Sequence, residues 1–334
     1  MRHNPAFPRQ AARARPPSRC GTRPIALPRM NPSPARNTHR RAVLVMVFCT
    51  LCWSIAGVLT RHLESARGLE ITFWRAFFCA AFVVAALARR SGTGWWKEVR
   101  ATGRAGLVSG AMWAVMFTCF MLALSMTTVA NALVVMAVSP LLAAVLAWIV
   151  LREPVPGRTW LAIAAAAGGI LWMVRGGLGA GGAQALAGMT VAFGVPVAAA
   201  INIVTLKKSG AKVDLAPAVP IGALLCCAFT LPLAWPVAGS ARDLSILALL
   251  GVVQLGLPCM LMVSAARHLD SHEVALLALL EVVFGPLWAW LGAGERPDDA
   301  TLQGGVAVLV ALVANELLPA RGVPTAGPAG RAPG

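Results

Sequence analysis

From about residue 42 to residue 318 the chain is a succession of apolar runs separated by short polar breaks. The runs fall at about 42–60, 69–88, 106–125, 129–151, 158–175, 187–206, 216–238, 245–266, 272–292 and 300–318. A helix rises ~1.5 Å per residue, so each run has roughly the length needed to cross a ~30 Å hydrocarbon core. The pattern predicts an all-α integral membrane protein with ten transmembrane helices. The breaks "SMTT" (125–128) and "ARHLDSHE" (266–273) are short, and "KKSGAKVDL" (207–215) is the least sharply marked. The connections are too short to hold a soluble domain.

The pattern also repeats. Residues 127–174 resemble residues 269–316 at an offset of 142, which sets Glu153 on Glu295 and Ser139-Pro140 on Glu281-Val282. Five spans separate the two copies. An odd number reverses the orientation of the second, giving two inverted five-helix repeats, 42–175 and 187–318.

Composition sharpens this reading. Apolar residues make up 58% of the 334 and charged residues 13%, against roughly 45–50% and 25% in soluble domains. The net charge of +16 raises nucleic-acid binding as an alternative, but the basic residues are distributed as topology signals. With the N-terminus inside, 23 Lys and Arg fall on the cytoplasmic side and five (Arg61, Arg67, Arg175, Arg242, Arg296) outside. Both termini are therefore expected to be cytoplasmic, in a bacterial inner membrane, with no nucleic-acid partner. Residues 1–41, rich in Pro and Arg, and residues 319–334 are expected to be disordered tails. Met30 is an alternative start of translation, and no cleaved signal peptide is expected. Seven of the eight cysteines lie in spans; Cys49 and Cys52 form a CxxC without a second ligand pair and read as packing residues. Tyrosine is absent, which leaves Trp95, Trp96 and Trp160 to anchor the interfaces.

Three stretches carry a family resemblance: "LCWSIAGVLTRHL" in span 1, "ITFWRAFFCAAFV" with its arginine in span 2, and "ANALVVMAVSPLLAAVLAWIVLREPVPGRTWLAIAAAAGGILWMV", repeated in "SHEVALLALLEVVFGPLWAWLGAGERPDDATLQGGVAVLVALV". The chain resembles the EamA-type branch of the drug/metabolite transporter superfamily over about 42–318. That resemblance implies ten helices in two inverted halves, a central cavity, and export or exchange of small metabolites across the bacterial inner membrane. Where the family often has proline after the span 9 glutamate, this chain has Val282, with Pro286 one turn later. The glutamate that small multidrug-resistance proteins use in their first helix has no counterpart, since residues 42–60 contain no acid.

Candidate chemistry follows from prolines and polar stripes. Pro140, Pro196, Pro258 and Pro286 free the carbonyls of Met136, Ala192, Gln254 and Val282, which need partners in hydrocarbon. Polar and aromatic positions at helical spacing nominate Trp53 and Ser54 in span 1, Trp113 in span 3, and Asn131, Ser139 and Pro140 in span 4. Asn202 in span 6, Gln254 in span 8, and Glu281 and Trp288 in span 9 complete the cavity set. Small-polar stripes are more often helix seams than substrate contacts, so the set counts for more than any one member. Glu281 is the one acid near a membrane midplane, and three readings stay open: a hydrogen-bonded packing carboxyl, a site for a cationic substrate or protons, or a partner for Arg75 in span 2. Arg75 is expected to snorkel toward the outer boundary as a fixed positive charge.

The expected function is a secondary transporter working by alternating access. Its substrate is expected to be a small molecule such as an amino acid, nucleotide-like metabolite, amine or drug, and its oligomeric state monomer or homodimer. No cofactor is expected, and the chain has no Walker motif for ATP. Not an enzyme is the expectation. The alternatives are a membrane enzyme built on the His268, Asp270, His272 and Glu273 cluster, or a non-transporting membrane subunit.

Overall fold

The structure is a computed structural model that describes residues 34–66, 68–180, 182–209, 217–237, 239–265, 268–269 and 271–318. The tails at 1–33 and 319–334, most of the break at 207–215, Arg67 and Asp270 lie outside the described residues. Every regular element among the described residues is helical.

Among the described residues, nine helices are long and apolar enough to cross a membrane, and a tenth apolar helix is shorter at 17 residues. In chain order they are α1 (Thr38–Thr60), α2 (Leu69–Ser91), α3 (Gly103–Met126), α4 (Val129–Leu151), α5 (Gly157–Arg175), α6 (Gly182–Lys208), α7 (Ala218–Ala234, the shorter one), α8 (Ala241–Ala265), α9 (Glu273–Ala293) and α10 (Asp299–Leu317). A short helix, Trp95–Ala101, bridges α2 and α3. The helices follow the order of the apolar runs; α3 and α6 begin several residues before theirs, at Gly103 and Gly182, whose positive φ (54° and 57°) marks the turn into each helix.

Polar residues at the breaks start the helices. Thr128 caps α4 by accepting from the Asn131 amide, Ser240 caps α8 by accepting from Asp243, and Asp298 caps α10 by accepting from Thr301 at 2.6 Å. Three helices are interrupted. α1 turns at Ile55, between Ser54 and Ala56. α4 breaks between Met136 and Ser139, ahead of Pro140. There the Ser139 hydroxyl donates to the Met136 carbonyl at 2.5 Å, so the acceptor freed by proline is met within the helix rather than by water.

The third interruption is a π-helical segment in α8, Leu250–Gly256. It ends just before Pro258, whose ring and missing N–H disrupt the bond to Gln254. Within it, a Cβ on Gly251 would come 2.6 Å from the Arg75 carbonyl oxygen and 2.6 Å from Phe78 Cβ. Glycine at this position lets α8 lie against the backbone of α2.

The helices pair in a regular scheme: α1 with α8 and α9, α6 with α3 and α4, α2 with α7 and α8, α3 with α7, and α5 with α10. Connections α1–α2, α3–α4 and α9–α10 meet at one end of the bundle, where Arg61 bonds Glu295 and the carbonyls of Leu124 and Thr127. Asp243, at the start of α8, and Gln184, near the start of α6, lie at the same end. At the opposite end Lys207 meets Glu153, His39 meets Glu273, and Thr159 donates to Asn315.

Candidate substrate site

Helices α1, α2, α3, α8 and α9 converge on Arg75. Its side chain is 3% exposed. Nε and Nη2 both donate to Oε1 of Gln254, at 3.0 and 2.8 Å, and Gln254 Nε2 donates to the Trp53 carbonyl at 3.2 Å. The guanidinium carbon lies 5.4 Å from the centre of the Phe120 ring and 5.9 Å from that of Phe117, which supply cation–π attraction in place of water. Cys79, Cys226 and Cys259 belong with Phe117 to one buried cluster.

Arg75 is therefore turned inward, not toward the end of the bundle as expected. The cause lies in α8: Gly251 allows the close approach, and the π-helical register presents the Gln254 amide to the guanidinium. Among the described residues no carboxylate comes within 4 Å of it. Glu281, on α9, lies in the same apolar surround but forms no direct ion pair with Arg75.

Above this pair, Trp288 Nε1 donates to Ser54 Oγ at 3.1 Å, and Ser54 donates to the Leu51 carbonyl at 2.7 Å. Trp288 also stacks on Phe284 at 6.0 Å. Trp113 packs on Phe117 at 5.5 Å and joins the apolar cluster that holds Cys79, Cys226 and Cys259. The structure thus brings together Trp53, Ser54, Trp113, Gln254, Glu281, Trp288 and Arg75.

The other candidates sit elsewhere. Asn131 is 5% exposed in the seam of α4 and α10, where its Oδ1 accepts from Thr301 at 2.7 Å and its Nδ2 donates to Thr127 at 3.3 Å. Ser139 and Pro140 mark the break in α4. Asn202, on α6, has its Oδ1 buried without a hydrogen-bond partner. His268 is exposed, and the His272 side chain lies outside the described residues. No group of three or more His, Cys, Asp or Glu able to hold a metal occurs among the described residues.

A cavity of about 420 Å³ opens at the end where Arg61 and Glu295 meet, lined by Thr60, Arg61, Met121, Leu124, Ser125 and Gln184. Met121 and Leu124 stand on α3 one turn beyond the rings that cover Arg75. Two features here escaped the sequence reading. Arg61, noted only as an outside charge, clamps three connections. Asp243, fully buried, accepts from the amides of Glu64, Ser65 and Ala66 at 3.0, 2.8 and 2.9 Å and from the Ser65 hydroxyl at 2.5 Å. The Ser-x-x-Asp spacing at 240–243 signals the helix start, but nothing local signals the second loop.

The profile of the EamA-like transporter family matches residues 40–175 and again residues 186–315. The chain belongs to the EamA-like transporter family. It is a membrane transporter, and the two matches cover both halves of the bundle. The pseudopaline exporter CntI of Pseudomonas aeruginosa, in each of two strains, is 25% identical over 284 residues, covering 82% of this chain and 95% of the exporter. A protein of known crystal structure, 20% identical, superposes with a TM-score of 0.59 over 86% of this chain and 99% of its own, and so shares the fold.

Proposed function

We propose that this EamA-like transporter is a secondary exporter that moves a small, carboxylate-bearing metabolite out of the cell across the bacterial inner membrane by alternating access. The observation that carries the reading is Arg75: a buried cation held by the amide of Gln254 and two aromatic rings, with no anion paired to it among the described residues. A buried charge without a counter-ion is costly. A carboxylate on the substrate supplies the missing partner, and Glu281 offers a second contact to an amine on the same molecule or to a proton. Trp53, Trp113 and Trp288 give flat apolar walls.

Alternating access by two inverted halves, 42–175 and 187–318, is supported by the pairing scheme. Exchanging each helix for the one five later turns α1·α8 into α6·α3, α1·α9 into α6·α4 and α2·α8 into α7·α3, while α2·α7 and α5·α10 map onto themselves. The same exchange carries Arg61–Glu295 at one end onto Lys207–Glu153 at the other. In this reading α7 is the tenth crossing, both termini are cytoplasmic, and the cavity beside Arg61 opens to the outside.

The test is reconstitution into liposomes with a metabolite panel, with and without a pH gradient; pseudopaline, named for the relatives, is the first compound to try. Wild-type flux should be pH-dependent and select carboxylates, Arg75→Lys should lose that selection, and Glu281→Gln should flatten the pH profile. Equal transport of neutral and carboxylate substrates by wild type and Arg75→Lys removes Arg75 from recognition. Unchanged pH dependence in Glu281→Gln removes Glu281.

A further inference from the structure

A larger cavity, about 570 Å³, lies on the outer face of the bundle and is lined by none of the residues that hold Arg75. It is a groove between the short helix Trp95–Ala101, the start of α3 and the lipid-facing side of α7. Its apolar walls include Leu107 and Leu224, with Trp95 and Trp96 at the mouth and Ala228 toward the far end. Leu107 is 60% exposed and Leu224 51%, so the walls meet whatever surrounds the protein. At the rim Arg100 lies flat on Trp96, its guanidinium carbon 5.3 Å from the ring centre. Lys97 and Arg104 are exposed beside it, and Arg89 and Arg90 end α2 nearby. Among the described residues none of these five cations has a carboxylate within 4 Å; the neighbouring Glu98 accepts from Ser91 instead.

We propose that this groove binds one anionic phospholipid of the bilayer, with an acyl chain along Leu107, Leu224 and Ala228 and its phosphate on Arg100, Lys97 and Arg104. The two parts of the site match the two parts of that molecule. The trough is apolar and opens sideways, as a chain that remains in hydrocarbon needs, and a soluble metabolite would leave its polar groups unmet there. The rim combines indole rings and unpaired cations, the chemistry that membrane headgroups favour. Since bulk lipid tails are as apolar as the groove, the chain adds little preference of its own, and discrimination comes from headgroup charge.

The test uses the purified full chain in detergent, with phosphatidylglycerol and phosphatidylcholine as probes. Native mass spectrometry should show one tightly retained phosphatidylglycerol, and that lipid should raise the unfolding temperature more than phosphatidylcholine or inorganic phosphate. Arg100→Gln should cut the preference for phosphatidylglycerol by about fivefold or more, on the scale of one basic residue at an anionic surface. Ala228→Trp, which fills the trough, should abolish the retained adduct. Should Arg100→Gln misfold, Lys97→Gln with Arg104→Gln tests the same rim from exposed positions. Equal retention of both lipids by the wild type, or an unchanged adduct in Ala228→Trp, overturns the proposal.

Discussion

Arg61 and Glu295 meet at 2.6 Å, joining the end of α1 to the loop after α9, and the rest of each side chain is bonded as well. Arg61 Nη1 and Nη2 donate to the carbonyls of Leu124 and Thr127, and Glu295 accepts from the Val129 amide at 2.5 Å. The counterpart pair, Lys207 and Glu153, is equally close, but both side chains are nearly half exposed and, among the described residues, neither gathers further bonds. The two ends are therefore fastened unequally: three connections are clamped together at the end of Arg61, and the other end is more loosely tied.

Glu295→Gln should release the tighter end. A partly buried, charge-assisted contact of this kind contributes about 1–2 kcal/mol, a factor of roughly 5–30 in a two-state equilibrium. Labelling of a cysteine placed at Ala130, buried next to the Val129 amide that donates to Glu295, should accelerate by that factor. Glu153→Gln should change the same rate less than about fivefold, because exposed pairs contribute ~0–1 kcal/mol.

Arg75 and Gln254 should behave as one unit. Hydrogen bonds to a buried charged group contribute about 1.5–3 kcal/mol, and lysine cannot make both contacts to Oε1 or lie flat on Phe120. Arg75→Lys and Gln254→Leu should each lower the thermal stability of the purified protein by that amount. The double variant should lose clearly less than their sum. Strict additivity would mean that the two side chains do not depend on each other.

Asp243 sits under the α1–α2 loop and accepts four hydrogen bonds there, three from consecutive backbone amides. Asp243→Asn keeps the shape but replaces one acceptor oxygen with a donor facing N–H groups. The expected cost is about 1–3 kcal/mol. Amide hydrogen exchange at 64–66 should quicken while exchange within α2 and α8 stays unchanged.

What the sequence made legible follows from how far each signal reaches along the chain. Apolar runs of about 20 residues specify helices locally, so their order was readable, as was the kinship of 127–174 with 269–316. Trp53, Ser54, Gln254, Glu281 and Trp288 were readable as a set because helical spacing puts each on one face. Arg75's orientation was not, because it depends on the π-helical register of α8 and on Gly251, and a lone glycine beside a proline does not announce a register shift. Asn131 carries the same stripe signal as Gln254 yet joins a seam with Thr301; only the position of α10 separates the two roles. Asp243 and Arg61 owe their roles to partners 177 to 234 residues away, beyond any local pattern.

Gly251 offers the sharpest check on how Arg75 is held. An added Cβ would stand 2.6 Å from the Arg75 carbonyl oxygen and 2.9 Å from the Cys79 nitrogen, both backbone atoms that cannot rotate away. Gly251→Ala must therefore push α8 from α2, at a cost of about 1–3 kcal/mol as for other overpacked sites. Since Gln254 is on the same turn-and-a-bit of α8, the displacement should lengthen its bonds to Arg75, and the variant should mimic Gln254→Leu in transport. Gly168→Ala is the control: nothing lies within 4 Å of its added Cβ, and alanine favours the helix by about 1 kcal/mol. Thermal unfolding of both variants should shift in opposite directions, with Gly251→Ala lower and Gly168→Ala equal or higher. A neutral Gly251→Ala would show that α2 and α8 are free to separate, and that Gln254 does not fix the position of Arg75.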